Sequence, residues 1–291
     1  MFQKILIPYD FSDLSREALF LGLRHLKQNP ANELIVVHAV PMMVTTNLGE
    51  ELACSFYPQD MLTLLEGHIR NDLHSFEFSS NLLSQTKIYV EWGDAASVVF
   101  QHENEVDLVV LTTHGQKGFK KFLFGSVTEK IVRHTTKPVL VVREAKKWPP
   151  QKIVVPVTFE EKTFEVLKNL LFQFPEAQTE YHLLHILSEP DLYGVYKDIL
   201  NNPLDMNVDL LVKMAQQGLD NLAKKVFQID ITKKILQGDM AEETRNYAQL
   251  IGADLIAIPT HHRGGIKHFF LGSEAEKLVR EVNNNVLCIS L

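Results

Sequence analysis

The chain is written twice. Asp107-Leu108-Val109-Val110 returns as Asp254-Leu255-Ile256-Ala257, and Phe124-Gly125-Ser126 returns as Leu271-Gly272-Ser273, each 147 residues further on. Leu34-Ile35-Val36-Val37-His38-Ala39 has its counterpart in His182-Leu183-Leu184-His185-Ile186, with His38 and His185 also 147 apart. Ile5-Leu6-Ile7-Pro8 answers to Val154-Val155-Pro156 at a shift of 148. A period this long is a domain, not the short module of a solenoid. The 291 residues therefore read as two copies of one fold, 1–146 and 150–291. They join at Glu144-Ala145-Lys146-Lys147-Trp148-Pro149-Pro150, where charge and proline break the pattern.

Each copy alternates short apolar runs with helical stretches. In the first, 3–8, 34–40, 86–91, 107–112 and 138–142 are rich in Val, Ile and Leu and read as strands buried on both faces. Between them, 13–28, 58–83, 95–104 and 126–136 carry helical spacing, as in Leu19, Leu23 and Leu26. The second copy repeats the order, with strands near 152–157, 181–187, 231–236, 254–258 and 286–290. Strands alternating with helices predict an α/β fold: two doubly wound, five-stranded parallel-sheet domains with right-handed crossovers. Ligands of such sheets lie beyond the carboxyl ends of the strands, where strand order reverses. The stretches 41–57 and 188–204, rich in Pro, Gly and Asn, are expected to be loops or irregular helices.

Composition narrows the function classes. Lys and Arg total 29 against 36 Asp and Glu, a net charge of −7, so no global field draws the chain to nucleic acid or anionic lipid. Two cysteines build neither a disulfide framework nor a four-cysteine zinc site. Ile5-Leu6-Ile7, ended by Pro8, is too short for a signal peptide, and no stretch reaches membrane-spanning length. A cytoplasmic location, with neither a membrane nor a nucleic-acid partner, is the expectation.

The segment after the fourth strand carries the chemistry. Gly115 and Gly118 permit close approach of backbone to an anion, Lys117, Lys120 and Lys121 share the loop, and Gly125-Ser126 opens a helix whose N–H groups favour negative charge. The same residues admit a ligand-free reading, because Ser126 and Glu129 have the spacing of a capping box. Asp10 is likewise either a ligand-facing acid or, competing with Ser12 and Asp13, a cap of the first helix. The chain has no P-loop, no Gly-x-Gly-x-x-Gly fingerprint and no serine nucleophile elbow. His261, His262 and His268 lack the ligand company zinc requires, and neither Cys54 nor Cys288 has a nucleophile's context. His38 and His185, ending apolar strands, are expected to hydrogen-bond at the edge of the core.

Taken together, Thr112-x-x-Gly115-x9-Gly125-Ser126, Val127-Thr128-Glu129, Pro8-Tyr9-Asp10-Phe11-Ser12, Gly93-Asp94 and Lys137-Pro138-Val139-Leu140-Val141-Val142 resemble the signature of the universal stress protein (UspA-type) family. The resemblance covers essentially both halves. It implies an adenine nucleotide alpha hydrolase-like fold and a bound ATP or related adenine nucleotide, with or without Mg2+, and no catalytic residue or resident metal site. The positions it implies are Pro8, Asp10, Ala39, Leu111, Thr112, Gly115, Gly125, Ser126, Val127 and Thr128. Asp10 would face the adenosine, Ala39 backbone the adenine, Leu111 and Thr112 the ribose, and Gly115, Gly125, Ser126, Val127 and Thr128 the phosphates. Thr112 departs from the family's glycine, and a β-branched residue fits there only in ordinary strand geometry.

The second half has lost these residues. Thr158 replaces Asp10, Pro259-Thr260-His261-His262 replaces the glycine motif, and Glu274-Ala275 replaces Val127-Thr128. Glu274 in a first helical turn stabilises the helix but repels a phosphate there, at about 4 kcal/mol for a 4 Å approach in a surface-like medium. The reading is a stress-response protein, one half binding nucleotide as a conformational switch toward an unidentified protein partner, the other half degenerate. The alternatives are a nucleotide-free interaction scaffold and a slow ATPase using His114 or Asp10 to position water. In the family, terminal strands commonly pair two domains. Here Val139–Val142 and Val286–Ile289 would do so within one chain as a pseudo-dimer, with or without further homodimerisation.

Overall fold

A computed structural model describes residues 2–29, 31–41, 60–83, 85–112, 125–188, 208–259 and 273–289. The chain divides into two compact units, the described residues of 2–146 and those of 147–289. The first runs β1 (Lys4–Pro8), α1 (Asp13–Gln28), β2 (Glu33–Val40), α2 (Met61–His74), a short α3 (Ser80–Leu83), β3 (Thr86–Trp92), α4 (Ala95–His102), a 3-10 turn (Glu103–Glu105), β4 (Leu108–Thr112), α5 (Ser126–His134) and β5 (Val139–Val142). The second runs β6 (Lys152–Pro156), α6 (Glu161–Gln173), β7 (Glu180–Leu187), α7 (Val208–Val226), β8 (Thr232–Gln237), α8 (Met240–Leu250), β9 (Leu255–Pro259), α9 (Ser273–Glu281) and β10 (Asn285–Ile289).

Strand order is β3-β2-β1-β4-β5 in the first unit and β8-β7-β6-β9-β10 in the second. Pairing within each is parallel throughout. The α/β reading of the sequence holds, and for the reason the pattern suggested. Ile5, Leu6 and Ile7 in β1, and all of β5, are buried, as strands covered by helices on both faces must be. Helix α1 turns Leu19, Leu23 and Leu26 into that core. It also comes close: a Cβ on Gly22 would lie 2.7 Å from Ile7 Cδ1 and 3.0 Å from Leu34 Cδ1.

One element differs from the expectation. The helix read as 58–83 stops at His74 and resumes only for the short α3. The Ser75 hydroxyl donates to the Asp72 carbonyl at 2.6 Å, and Phe76 and Phe78 both pack on Phe20. Residues two apart do not share a face of a continuing helix. Between them Glu77 takes a left-handed φ of 54°, which leads the chain out of the helix. The loops expected over 41–57 and 188–204 lie almost wholly outside the described residues. At the joint, Trp148 is buried in the second unit, edge-on to Phe174. Among the described residues no helix is long and apolar enough to cross a membrane.

The repeat is preserved as hydrogen bonds. Asp107 Oδ2 accepts from the N–H groups of Gln3 and Lys4 at 3.1 and 3.0 Å, and Asp107 N–H donates to the Lys4 carbonyl at 2.8 Å. Asp254 does the same for Gln151 and Lys152, at 3.0, 3.1 and 3.0 Å. The acid entering the fourth strand of each unit thus fixes where the first strand begins. Asp107→Ala and Asp254→Ala should each lower stability by about 1.5–3 kcal/mol, the range for hydrogen bonds to a charged group. Urea unfolding checks this, and unchanged midpoints would show that the strand starts need no clamp.

His25 is buried on α1, with neither ring nitrogen hydrogen-bonded among the described residues. Burial pushes its pKa below 6.5, against a weaker opposing pull from the Phe2 backbone. A base whose folded pKa is depressed costs stability as pH falls from about 6.5 through the folded value. His25→Leu should therefore shrink the drop in melting temperature between about pH 7 and pH 5; an unaltered drop in calorimetry would refute it.

Candidate functional site

The carboxyl end of β1 is held from three sides. Tyr9 N–H donates to the Val37 carbonyl at 2.8 Å, and His38 Nδ1 lies 2.6 Å from the Tyr9 carbonyl. The Tyr9 hydroxyl donates to Asp72 Oδ2 at 2.5 Å, and Asp72 also takes Arg16 Nη1 at 2.6 Å. Burial first, and Asp72 second, push the Tyr9 pKa upward, so the phenol stays a neutral donor. The next peptide turns sharply, with Phe11 at φ 63° and its ring edge-on to Tyr9 and His38 at 5.1 and 4.9 Å. A left-handed φ on a bulky residue costs on the order of 1–3 kcal/mol, so this packing must hold it.

That turn leaves Asp10 exposed at the strand's end. Its Oδ1 accepts from the Ser12 amide at 3.1 Å and the Ser12 hydroxyl at 2.5 Å, while the Asp10 N–H donates to Ser15 Oγ at 3.4 Å. Ser12, not Asp10 or Asp13, caps α1, accepting from Ser15 N–H at 3.1 Å. Beside it, Pro8 ends β1 and Leu111-Thr112 ends β4, on the two strands between which the order reverses. Thr112 pairs with Val142 in plain strand geometry, so its β-branch meets no backbone conflict. Ala39 lies two residues beyond Val37, whose carbonyl faces β1. By strand alternation its N–H and C=O point the same way, past the end of β1.

Helix α5 begins beside Thr112. Its N-cap is Gly125, with no side-chain hydrogen bond, and Ser126 is the first helical residue. The expected Ser126–Glu129 capping box does not form. Ser126 sits one position too late to cap, and Glu129 reaches forward to Arg133 at 3.0 Å. Ser126 and Val127 are exposed, and the Ser126, Val127 and Thr128 amides have no acceptor within the helix. Thr128 is buried, its hydroxyl donating to the Thr112 carbonyl at 3.4 Å. That hydroxyl is turned to the strand rather than offered to a ligand, which corrects the expectation that it donates outward. Gly115 and His114, like His261, His262 and His268, lie outside the described residues. No group of three or more metal-ligating side chains occurs among the described residues.

The corresponding place in the second unit keeps the frame and changes the chemistry. Val157 N–H donates to Leu184 at 2.8 Å, His185 Nδ1 lies 3.0 Å from the Val157 carbonyl, and Phe159 packs on His185 at 4.3 Å. Thr158, in place of Asp10, brings its hydroxyl within 3.1 Å of Thr163 Oγ1. Phe159 is not among the left-handed residues, so the strain of Phe11 is peculiar to the unit that keeps the acid. Tyr9, Phe11, Asp72 and Arg16 were missed as positioning residues. The paired Phe11/Phe159 and His38/His185 in the repeat were the signal that could have found two of the anchors.

Asp94 positions α5 from below. It caps α4, accepting from the Ala96 and Ser97 amides and from the Ser97 hydroxyl, and pairs with Lys130 of α5 at 3.1 Å. The Ser97 hydroxyl first, and Lys130 next, hold its carboxyl down to about 2. Asp239 repeats the device with Lys277 at 2.6 Å. A depressed carboxyl contributes stability above 3.8 that is lost as pH falls through about 2. Asp94→Ala should cost about 1 kcal/mol, the usual loss of a helix cap, read as a lower midpoint in urea at neutral pH. A midpoint equal to the parent's would mean Lys130 and Ser97 are held by other means.

Comparison with known proteins follows the repeat. The model of the universal stress protein family matches residues 1–143 and again 150–290. Universal stress protein YxiE of Bacillus subtilis is 27% identical over 150 residues, which is 49% of this chain and 100% of that protein. The universal stress protein E homolog of Haemophilus influenzae is 21% identical over 310 residues, 99% of this chain and 97% of its own. The crystal structure of a universal stress protein from Archaeoglobus fulgidus superposes with a TM-score of 0.67 at 17% identity, covering 99% of this chain and 98% of that one, a likeness of fold. With the family's model matched once in each half, the chain belongs to the universal stress protein family as a tandem, two-domain member.

Proposed function

We propose that the first unit binds an adenine nucleotide, ATP or a close relative, and that the second unit keeps the fold without the site. The observation that carries this is the open start of α5. A helix end is most often closed by a Ser, Thr, Asp or Asn side chain, and a Gly cap, though common, supplies no side-chain acceptor of its own. Here Gly125 occupies the cap, and among the described residues a Cβ there would meet nothing nearer than Thr128 Oγ1 at 4.0 Å. The end is left with amides directed outward, an arrangement suited to a phosphate. It is tied to the end of β4 through Thr112, and β4 neighbours β1 where strand order reverses and Asp10 follows. The strained Phe11, absent from Phe159, points the same way, since such strain gathers at ligand clamps. Gly115 and the lysines of its loop would complete the cradle.

The role is then a switch: nucleotide orders the segment around α5, and a protein partner reads the difference between the two states. A nucleotide-free scaffold is the second reading, favoured by Thr128, whose hydroxyl is already engaged with Thr112.

Val127→Glu separates them. It places in the first unit the charge that Glu274 carries in the second. A carboxylate at a helix N-terminus stabilises the helix, while repulsion at this range is several kcal/mol before screening. The variant should melt at or above the parent without ligand. Its ATP affinity should fall by at least about tenfold, as about 1.4 kcal/mol suffices for that. If ATP leaves the parent's melting temperature unchanged, and calorimetric titration detects no binding, the nucleotide reading fails and the scaffold stands.

A further inference from the structure

His102 ends α4, and its ring lies between two carboxylates. Nδ1 is 2.8 Å from Glu105 Oε1 on the 3-10 turn, and Nε2 is 2.8 Å from Glu91 Oε1 on β3. Tyr89 of β3 stacks on the ring at 4.1 Å and 13°, and the side chain is only 12% exposed. A neutral imidazole has one N–H and one lone pair, so it satisfies one carboxylate and turns an acceptor toward the other. Both contacts at once are those of the imidazolium, donating in two directions to ionised acids. Burial opposes that charge, but the bonds to Glu105 and Glu91 outweigh it and raise the ring's pKa above 6.5.

The surroundings add little else. Lys87, earlier on β3, is tied to Glu33 at 3.1 Å and acts on Tyr89 and Glu105 rather than on the ring. Glu103 of the same turn is taken up by Thr135 and Thr136. Helix α4 also packs on β1, β2 and α5, and none of these supplies a charge that acts on His102 among the described residues.

We infer that His102 is a proton-operated clasp on the edge strand of the first unit. Protonated, it ties the carboxyl end of β3 to α4 and the 3-10 turn. Deprotonated, it lets one carboxylate go and loosens β3 where the strand leads into Gly93 and α4. The second unit has the same corner without the device. Counted back from Gly238, Leu236 stands where Glu91 does. Counted on from the cap Asp239, Tyr247 stands where His102 does, its hydroxyl 2.9 Å from His182 Nδ1. The strand exits by one hydrogen bond in both: Gly93 N–H to Val40 O at 3.0 Å, Gly238 N–H to Leu187 O at 3.1 Å.

Those two amides are the experiment, and each is a glycine followed by aspartate. A base with a raised folded pKa contributes stability fully present below about 6.5 and lost as pH climbs through the folded value. Each pKa unit of elevation corresponds to about a tenfold change in the local opening equilibrium. Hydrogen exchange on the full chain, from about pH 6 to pH 9, would follow protection of Gly93 relative to Gly238. NMR of the ring nitrogens would follow His102. The expected result is a His102 midpoint above 6.5 and relative protection of Gly93 that falls through that midpoint and then levels. E91Q should lower the midpoint and flatten the fall, and H102Q should abolish it. A midpoint at or below 6.5, or a Gly93-to-Gly238 ratio independent of pH, would overturn the inference. If H102Q does not fold, E91Q decides alone. Neither readout involves nucleotide, so failure here leaves the proposed ligand untouched, and the reverse holds too.

Discussion

The first strand of each unit is gripped at both ends, and the rest of the unit is laid out from it. An aspartate entering the fourth strand, Asp107 or Asp254, accepts two amides where the first strand begins. A histidine on the second strand, His38 or His185, engages the carbonyl where the first strand ends. These contacts tie strands one, two and four into a fixed register before any helix is considered. Because the first strand lies between the second and fourth, its carboxyl end is also the point where strand order reverses. A grip that fixes this strand therefore fixes the floor of any site the fold can offer.

The two units share one set of contacts and differ in another. The clamps, the histidine anchors, and the capping acids with their lysines, Asp94–Lys130 and Asp239–Lys277, occur in both. At the carboxyl edge the two differ: Asp10 stands against Thr158, and strained Phe11 against relaxed Phe159. They differ elsewhere too, as in His102 and Glu91 against Tyr247 and Leu236, while the shared contacts are those that set the first strand and seat the helices.

The fold was legible because its signals are physical and local. Strands covered on both faces must be continuously apolar, and the runs at 34–40 and 181–187 were found at nearly their true limits. The break after His74 was not, because helical spacing on either side hid an i, i+2 pair, Phe76 and Phe78, that answers to Phe20. At the site, repeat and motif indicated the positions but not the hydrogen bonds. Ser126-x-x-Glu129 has the spacing of a capping box. The helix nevertheless starts at Ser126, which places the cap one residue earlier, on a glycine. Tyr9 and Asp72 are 63 residues apart in sequence, and their bond exists only after α2 has packed. His102 carried no motif at all, since its carboxylates come from a strand and a turn that only the fold brings together.

The start of α5 is a local conflict that the fold tolerates. Glycine at position 125 forgoes a few tenths of a kcal/mol relative to serine or aspartate, and among the described residues no atom lies nearer than 4.0 Å to a Cβ built there. The chain instead steadies the helix from elsewhere. Lys130 pairs with Asp94, Arg133 with Glu129, and Thr128 fastens the first turn to β4 through the Thr112 carbonyl. Each of these acts on the sides or the base of the helix, and none of them occupies its first amides. Support so placed suits an end that receives an acceptor from elsewhere. The second half carries an acid in the corresponding first turn, Glu274, and a carboxylate there stabilises the helix itself.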